Sequence, residues 1–162
     1  MHQESTPKLD QGYRKIDLVN FDDLAQRTRN LDTDQRQIVD IWIKYAKDLR
    51  KSLSGNFDIP NAPRLKTNGG AGVGKSEVIK ILSQWMEFFL RKPGDDPNMP
   101  YIIKAAFTGC AAINIDGQTL HNAFSFKFGN EYVSLNDKQR DKKRMVLRNL
   151  RVVIVDEKSM LP

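Results

Sequence analysis

One run of eight residues, Gly69-Gly70-Ala71-Gly72-Val73-Gly74-Lys75-Ser76, constrains this chain more than any other feature. It matches the pattern G-x-x-x-x-G-K-[ST], and the chemistry behind that pattern needs these residue types at this spacing. The glycines let backbone N–H groups converge on phosphate oxygens with no Cβ in the way. A helix opening at Lys75 would point the positive end of its dipole at the same anion. The Lys75 ammonium reaches the β and γ phosphates, and the Ser76 hydroxyl can ligate magnesium. At average residue frequencies a chance match in 162 residues has a probability of roughly half a per cent. The run is therefore read as a triphosphate cradle for ATP and Mg2+, with Gly69, Gly70, Ala71, Gly72, Val73, Gly74, Lys75 and Ser76 all in contact with the nucleotide.

A cradle of this kind joins a strand to a helix, and the flanks fit unequally. After it, Val78, Ile81, Leu82, Trp85 and Phe89 recur at helical spacing until Pro93-Gly94, which predicts a helix from Lys75 to about Arg91. Before it, Arg64–Asn68 reads as a short strand, an assignment that rests on the loop following it, since Lys66 and Asn68 suit a doubly covered parallel strand poorly. Further upstream, Asp32-Thr33-Asp34-Gln35 has capping-box spacing. It opens a helix whose apolar stripe is Ile38, Ile41, Trp42, Tyr45 and Leu49, fading at Ser52–Gly55. Residues 1–30 are polar and weakly periodic and read as a flexible N-terminal arm.

Downstream, Tyr101–Thr108 reads as a buried strand. Gly109–Ile115 and Thr119–Phe126 read as short helical pieces split by the Asp116-Gly117 turn. A basic helix over about residues 136–149 leads to Val152-Val153-Ile154-Val155, four β-branched residues in a row. Alternating strands and helices predict an α/β fold with a parallel sheet. That last strand ends in Asp156-Glu157, which puts acids at the carboxyl edge of the sheet, where ligands of open α/β folds sit. About 80 residues after the glycine loop, Asp156 suits magnesium, and Glu157 suits orienting and deprotonating an attacking water.

Composition narrows the alternatives. With 162 residues the chain can bury a core without staples, and one cysteine excludes an internal disulfide framework. Two histidines and one cysteine make no credible zinc cluster. No apolar run approaches the roughly 20 residues that span a bilayer, and the first residues lack a secretory apolar core. An intracellular setting follows, nucleus or mitochondrion being left open. The net charge of +6 is concentrated: Lys138, Arg140, Lys142, Lys143, Arg144, Arg148 and Arg151 face a single acid, Asp141, between them. Such a patch suits a polyanion, or is a solvated basic helix face. Phe124, Phe126 and Phe128 suit either packing or stacking on bases. By composition alone Cys110 is a small apolar residue and His121 a satisfied polar one.

Three strings now fall into one order: GGAGVGKS, AFTGCAAINIDGQTLHNAF and VVIVDEKSML. Together they resemble the Pif-type helicases, the eukaryotic 5′-to-3′ DNA helicases of superfamily one related to bacterial RecD, and especially their Helitron-associated copies. The TGCAA…G-T-L-H block discriminates, since the other two strings occur in many P-loop ATPases. The resemblance covers roughly Leu31 to Leu161 and implies a RecA-like parallel sheet flanked by helices. It implies Gly74, Lys75 and Ser76 on the phosphates and magnesium, Asp156 and Glu157 as the Walker B pair, and Thr108, Gly109 and His121 on the path of single-stranded DNA. The LDTDQ stretch is similar to the family's adenine-sensing motif, so Gln35 is either a capping side chain or a reader of the adenine edge, and the resemblance favours the second. Residues 31–162 would then be a first RecA-like domain, partial because the chain ends just after the Walker B block. The following Gly-Asp-…-Gln-Leu-Pro motif, the γ-phosphate arginine and the second RecA-like domain would lie elsewhere. Lys158 stands where the family usually has an apolar residue. Weak nucleotide binding and very slow hydrolysis are expected of such a piece by itself.

Overall fold

The structure is a computed structural model that describes residues 17–55, 58–69, 72–126 and 134–157. Its elements in chain order are α1 (Phe21–Arg29), α2 (Thr33–Ser54), α3 (Lys75–Leu90), β1 (Ile102–Ala106), α4 (Gly109–Asn114), β2 (Gln118–Thr119), α5 (Leu120–Phe124), α6 (Asp137–Val146), a 3-10 turn (Leu147–Asn149) and β3 (Val152–Asp156). The three strands form one parallel sheet in the order β2-β1-β3. This is the α/β class expected, consistent with a partial RecA-like fold. No helix among the described residues is long and apolar enough to cross a membrane.

The long helices form for the reasons visible in their sequences. Asp32 accepts the Gln35 N–H at 2.8 Å while Gln35 Oε1 accepts the Asp32 N–H at 3.2 Å, a complete capping box. α2 then buries Val39, Tyr45, Ala46 and Leu49, and the stripe differs from expectation at one place: Ile41 is 45% exposed. The helix repeats every 3.6 residues, so a stripe running 38, 42, 45, 49 leaves position 41 on the outer edge. α3 is covered on most sides and buries Val78, Ile81, Leu82, Ser83, Trp85, Met86, Glu87 and Leu90. The buried Glu87 carboxylate is held by Arg91 Nε at 2.6 Å, one turn on.

Two expectations need correction. The region expected to be a loose arm is packed from residue 17 onward. Asn20 caps α1 through the Asp22 N–H, and Leu24 is 1% exposed in a cluster with Val39, Val78, Ile81 and Trp85. Phe21 packs edge-on against Trp85 at 5.6 Å, and Gln84 on α3 binds the backbone of Asp17 and Val19. A short amphipathic helix carries too few turns for periodicity to reveal it, and tertiary burial of Leu24 stabilises it. Residues 1–16 lie outside the described residues. The second correction is Arg64–Asn68, which forms no strand: all five residues are exposed and outside the sheet. Lys66, Thr67 and Asn68 offer nothing apolar to cover a sheet face, so the segment gains too little by pairing to offset the loss of chain freedom.

The core fixes the direction of α3 against the sheet. Leu82, Met86 and Leu90 cluster with Tyr101, Ile102 and Val152 at the amino end of the strands, whereas Ile79 packs on Ala106, Ala111, Ala112 and Ile115 at the carboxyl end. α3 therefore starts at the edge where the strands finish.

Candidate functional site

The loop ahead of α3 takes its shape from glycine. Gly72 and Gly74 have φ of 79° and 76°, the left-handed region that residues with a Cβ rarely enter. At Gly74 a Cβ would also stand 2.7 Å from Gln35 Nε2. Gly74 is the N-cap of α3 and brings no side-chain cap, so the first-turn amides are left for another acceptor. The Lys75 ammonium folds back on the loop and donates to the Gly69 carbonyl at 2.8 Å. Ser76 is half-buried in the first turn. Gly70 and Ala71 lie outside the described residues.

Gln35 does two things at once. Its Oε1 closes the capping box of α2, and its Nε2 donates to the Val73 carbonyl at 3.0 Å. A residue 38 positions before Val73 thus braces the glycine loop from outside, a contact that neither sequence reading of Gln35 contained. A second brace joins α1 to the first turn of α3: Arg27 Nη2 and Nε reach Glu77 Oε1 at 2.7 and 3.1 Å. A third is Lys80 with Asp116 at 3.2 Å, linking α3 to the turn after α4.

Across the sheet edge, the register puts Asp156 opposite Ala106, which is itself opposite Thr119 on β2. Asp156 is half-buried, and its Oδ1 accepts the Glu157 N–H at 3.0 Å. Glu157 has φ of 56°, exposed at the strand's end, and its Oε2 accepts a hydrogen bond from Thr108 Oγ1 at 3.1 Å. Thr108 is also the N-cap of α4, accepting the Ala111 N–H at 3.3 Å. The sheet thus brings Thr108, Gly109, Asp156 and Glu157 to one edge, the edge at which α3 starts.

His121, in the first turn of α5, is half-buried between Phe107 at 6.0 Å and Phe126 at 6.5 Å, both edge-on. Phe126 in turn lies 5.8 Å from Phe124 and is 58% exposed. The aromatic residues at 124 and 126 are therefore packed on each other with one face open; Phe128 and Lys158 fall outside the described residues. Cys110, read from composition as a small apolar residue, is exposed. Thr119 caps α5 through the Asn122 N–H at 3.3 Å, and Gly117 explains its own identity: a Cβ there would lie 2.4 Å from the Lys104 carbonyl oxygen. The only hint of that close approach in the sequence is the Asp116-Gly117 pair.

On the basic helix, an Asn136–Gln139 capping box starts α6, which buries none of its residues. Its Lys143 reaches the Ala123 carbonyl at 3.0 Å. Partial burial holds the Lys143 ammonium below its ordinary pKa, and the neighbouring Lys142 charge adds to this. The remaining cations, Lys138, Arg140, Lys142 and Arg144, are exposed, with Arg140 and Arg144 paired to Asp137 and Asp141 along the helix.

The oxygens near this edge suit magnesium better than a transition metal. Ser76 and Asp156 carry hard oxygens, and magnesium characteristically keeps waters and substrate phosphates in most of its positions. Among the described residues no group of three or more His, Cys, Asp or Glu side chains forms a metal cluster. A family model described as an AAA domain matches residues 59–162, a span that includes the glycine loop and both acids. No curated protein and no solved structure matches the chain.

Proposed function

Because the chain belongs to the AAA domain family, nucleotide-binding domains of helicase-like ATPases, we propose that residues 31–162 are the first RecA-like domain of a Pif-type 5′-to-3′ DNA helicase. The activity is ATP hydrolysis coupled to movement along single-stranded DNA, in repair, recombination and telomere or genome maintenance. The observation that carries this reading is a shared sheet edge: α3, with an uncapped first turn and Lys75-Ser76, starts on the side of the sheet at which β3 ends in Asp156-Glu157.

In this reading the loop amides and the Lys75 ammonium take the triphosphate, the ammonium leaving the Gly69 carbonyl for a better acceptor. A phosphate oxygen carries a full negative charge where the Gly69 carbonyl offers only a dipole, so the ammonium gains Coulomb attraction in the exchange. Ser76 and Asp156 would hold magnesium, which when bound neutralises charge on the β and γ phosphates. Glu157 orients the attacking water and takes its proton. Gln35, poised on the Val73 carbonyl, is placed to sense whether the loop is occupied, and its adenine-reading role belongs to this proposal. Thr108, Gly109 and His121 line the DNA track.

The test is phosphate release by the wild type and Lys75→Ala, each with and without oligo-dT, beside binding of a fluorescent ATP analogue. Lys75→Ala should weaken nucleotide binding by about tenfold or more, the value of a lost charge-assisted bond, and oligo-dT should raise wild-type turnover. Turnover indifferent to DNA would favour another kind of P-loop ATPase. The exposed cations of α6 favour a second reading, a nucleic-acid-binding remnant without a motor. It predicts equal DNA binding by wild type and Lys75→Ala with no effect of nucleotide.

A further inference from the structure

A cavity of about 280 Å³ opens between the end of α1 and the start of α2, walled by Arg29, Leu31, Thr33, Arg36, Gln37 and Asp40. On α2 the residues 33, 36, 37 and 40 share one face, and Gln35 lies about 150° round the helix from its middle. Since Gln35 is the residue that braces Val73, the cavity opens on the side of α2 turned away from the glycine loop. Its charges are unmatched. Among the described residues neither Arg29 nor Arg36 forms an ion pair, although Asp40 stands one turn after Arg36. Arg36 Nη2 is drawn instead to the Thr28 carbonyl of α1 at 3.1 Å, and its Nε, shielded from water, meets no acceptor. A covered donor without a partner is costly. A guanidinium so placed gains by turning its fork onto a group with several anionic oxygens.

We propose that this cavity binds a small phosphate monoester, its phosphate held by Arg29 and Arg36 and its organic part lying against Leu31. Two arginines against one acid suit the charge of a monoester, which is close to two at neutral pH. Thr33 is the first residue of α2, where the helix dipole favours an anion. Asp32 does not oppose this, because its carboxylate is turned to the Gln35 N–H. The Thr33 hydroxyl and the Gln37 amide supply neutral donors. A bare phosphate, with the bulk of two or three waters at roughly 30 Å³ each, leaves most of the cavity free. That room, with Leu31 on its wall, suits a sugar-sized group. Nothing in this assignment depends on nucleotide at the glycine loop.

The experiment is isothermal titration calorimetry of the full chain at fixed ionic strength, with inorganic phosphate, ribose 5-phosphate and adenosine as probes. It is run in the Lys75→Ala background, which keeps the glycine loop from competing for phosphate. Ribose 5-phosphate should saturate one site and bind more tightly than inorganic phosphate. Arg29→Gln and Arg36→Gln should each weaken it by about tenfold, the worth of a hydrogen bond to a charged group. Asp40→Asn should tighten it by removing a like charge. No binding of ribose 5-phosphate, or an affinity that both arginine variants leave unchanged, overturns the proposal. So does binding of adenosine, which carries no phosphate. Equal affinity for inorganic phosphate overturns the ester assignment. Should Arg36→Gln fail to fold for want of its bond to Thr28, Arg29→Gln decides, since Arg29 is exposed and forms no ion pair among the described residues.

Discussion

The helix that bears Lys75 and Ser76 is gripped along its length, whereas the strand that bears Asp156 is paired on one edge only among the described strands. α3 buries eight of its sixteen residues and is tied by side chains to α1, α2 and the turn after α4. β3 pairs with β1 alone among the described strands, and it leaves Val153 44% and Val155 38% exposed. The contrast follows from how the two structures satisfy their backbones. A helix makes its hydrogen bonds internally and needs only one apolar stripe to be covered. A strand borrows its partners from neighbours, so each edge depends on another segment being good enough to pair. Arg64–Asn68, the segment that leads into the glycine loop, stays extended and exposed instead. The half of the candidate site that carries Lys75 and Ser76 is thus supported by helix packing, and the half that carries Asp156 and Glu157 by a thin sheet.

Truncations on the two sides should separate widely. Met86 is 0% exposed among Tyr45, Leu49 and Ile102, and Met86→Ala should cost about 2–5 kcal/mol in urea unfolding. Val155→Ala should cost less than about 1 kcal/mol, because its side chain is already partly in water; equal losses would break the comparison. Next in size is Gly117→Ala, which drives a Cβ onto the Lys104 carbonyl between β1 and β2. A loss of about 1–3 kcal/mol is expected from such overpacking, read as a lowered melting temperature, and a neutral outcome would mean the thin sheet yields easily. Asn136→Ala removes the cap of α6, a helix without buried residues to fall back on. About 1 kcal/mol and a visible drop in helical circular dichroism should follow.

The smallest effect concerns pH and the loop between α3 and β1. The Lys92 backbone N–H at 2.7 Å, and then the Tyr101 hydroxyl at 2.8 Å, hold the Asp95 carboxyl below its ordinary value, with slight burial acting the other way. A carboxyl whose pKa is lower folded than unfolded stabilises the fold above the unfolded value, near 3.8, and loses that contribution as pH falls through the folded one. The urea midpoint of wild type should therefore exceed that of Asp95→Asn at pH 7, and the gap should close on acidification. A gap independent of pH would assign the difference to packing instead. For the Tyr101 hydroxyl, burial and the Asp95 carboxylate both push the pKa above its usual 10, so Tyr101 stays a donor over that whole range.

Much of the molecule was legible along the chain. The capping box at Asp32, the helices of residues 33–54 and 75–90, and the strands of residues 102–106 and 152–156 are local matters. They are set by side chains within a few residues of each other. The glycine loop, with two left-handed positions that no other residue type fills comfortably, is local in the same sense. By itself, then, the sequence determined the two long helices, the sheet's class and the residues rich enough in chemistry to be candidates. Only the tertiary structure decided that Gln35 would brace Val73, that Leu24 would turn a polar lead-in into a packed helix, and that Thr108 would hold Glu157. Those contacts join positions 38, 54 and 49 apart in the chain (Gln35 to Val73, Leu24 to Val78, Thr108 to Glu157). Nothing in the periodicity of either partner encodes such a meeting; it exists only once burial of the apolar residues has set the helices and the sheet against each other.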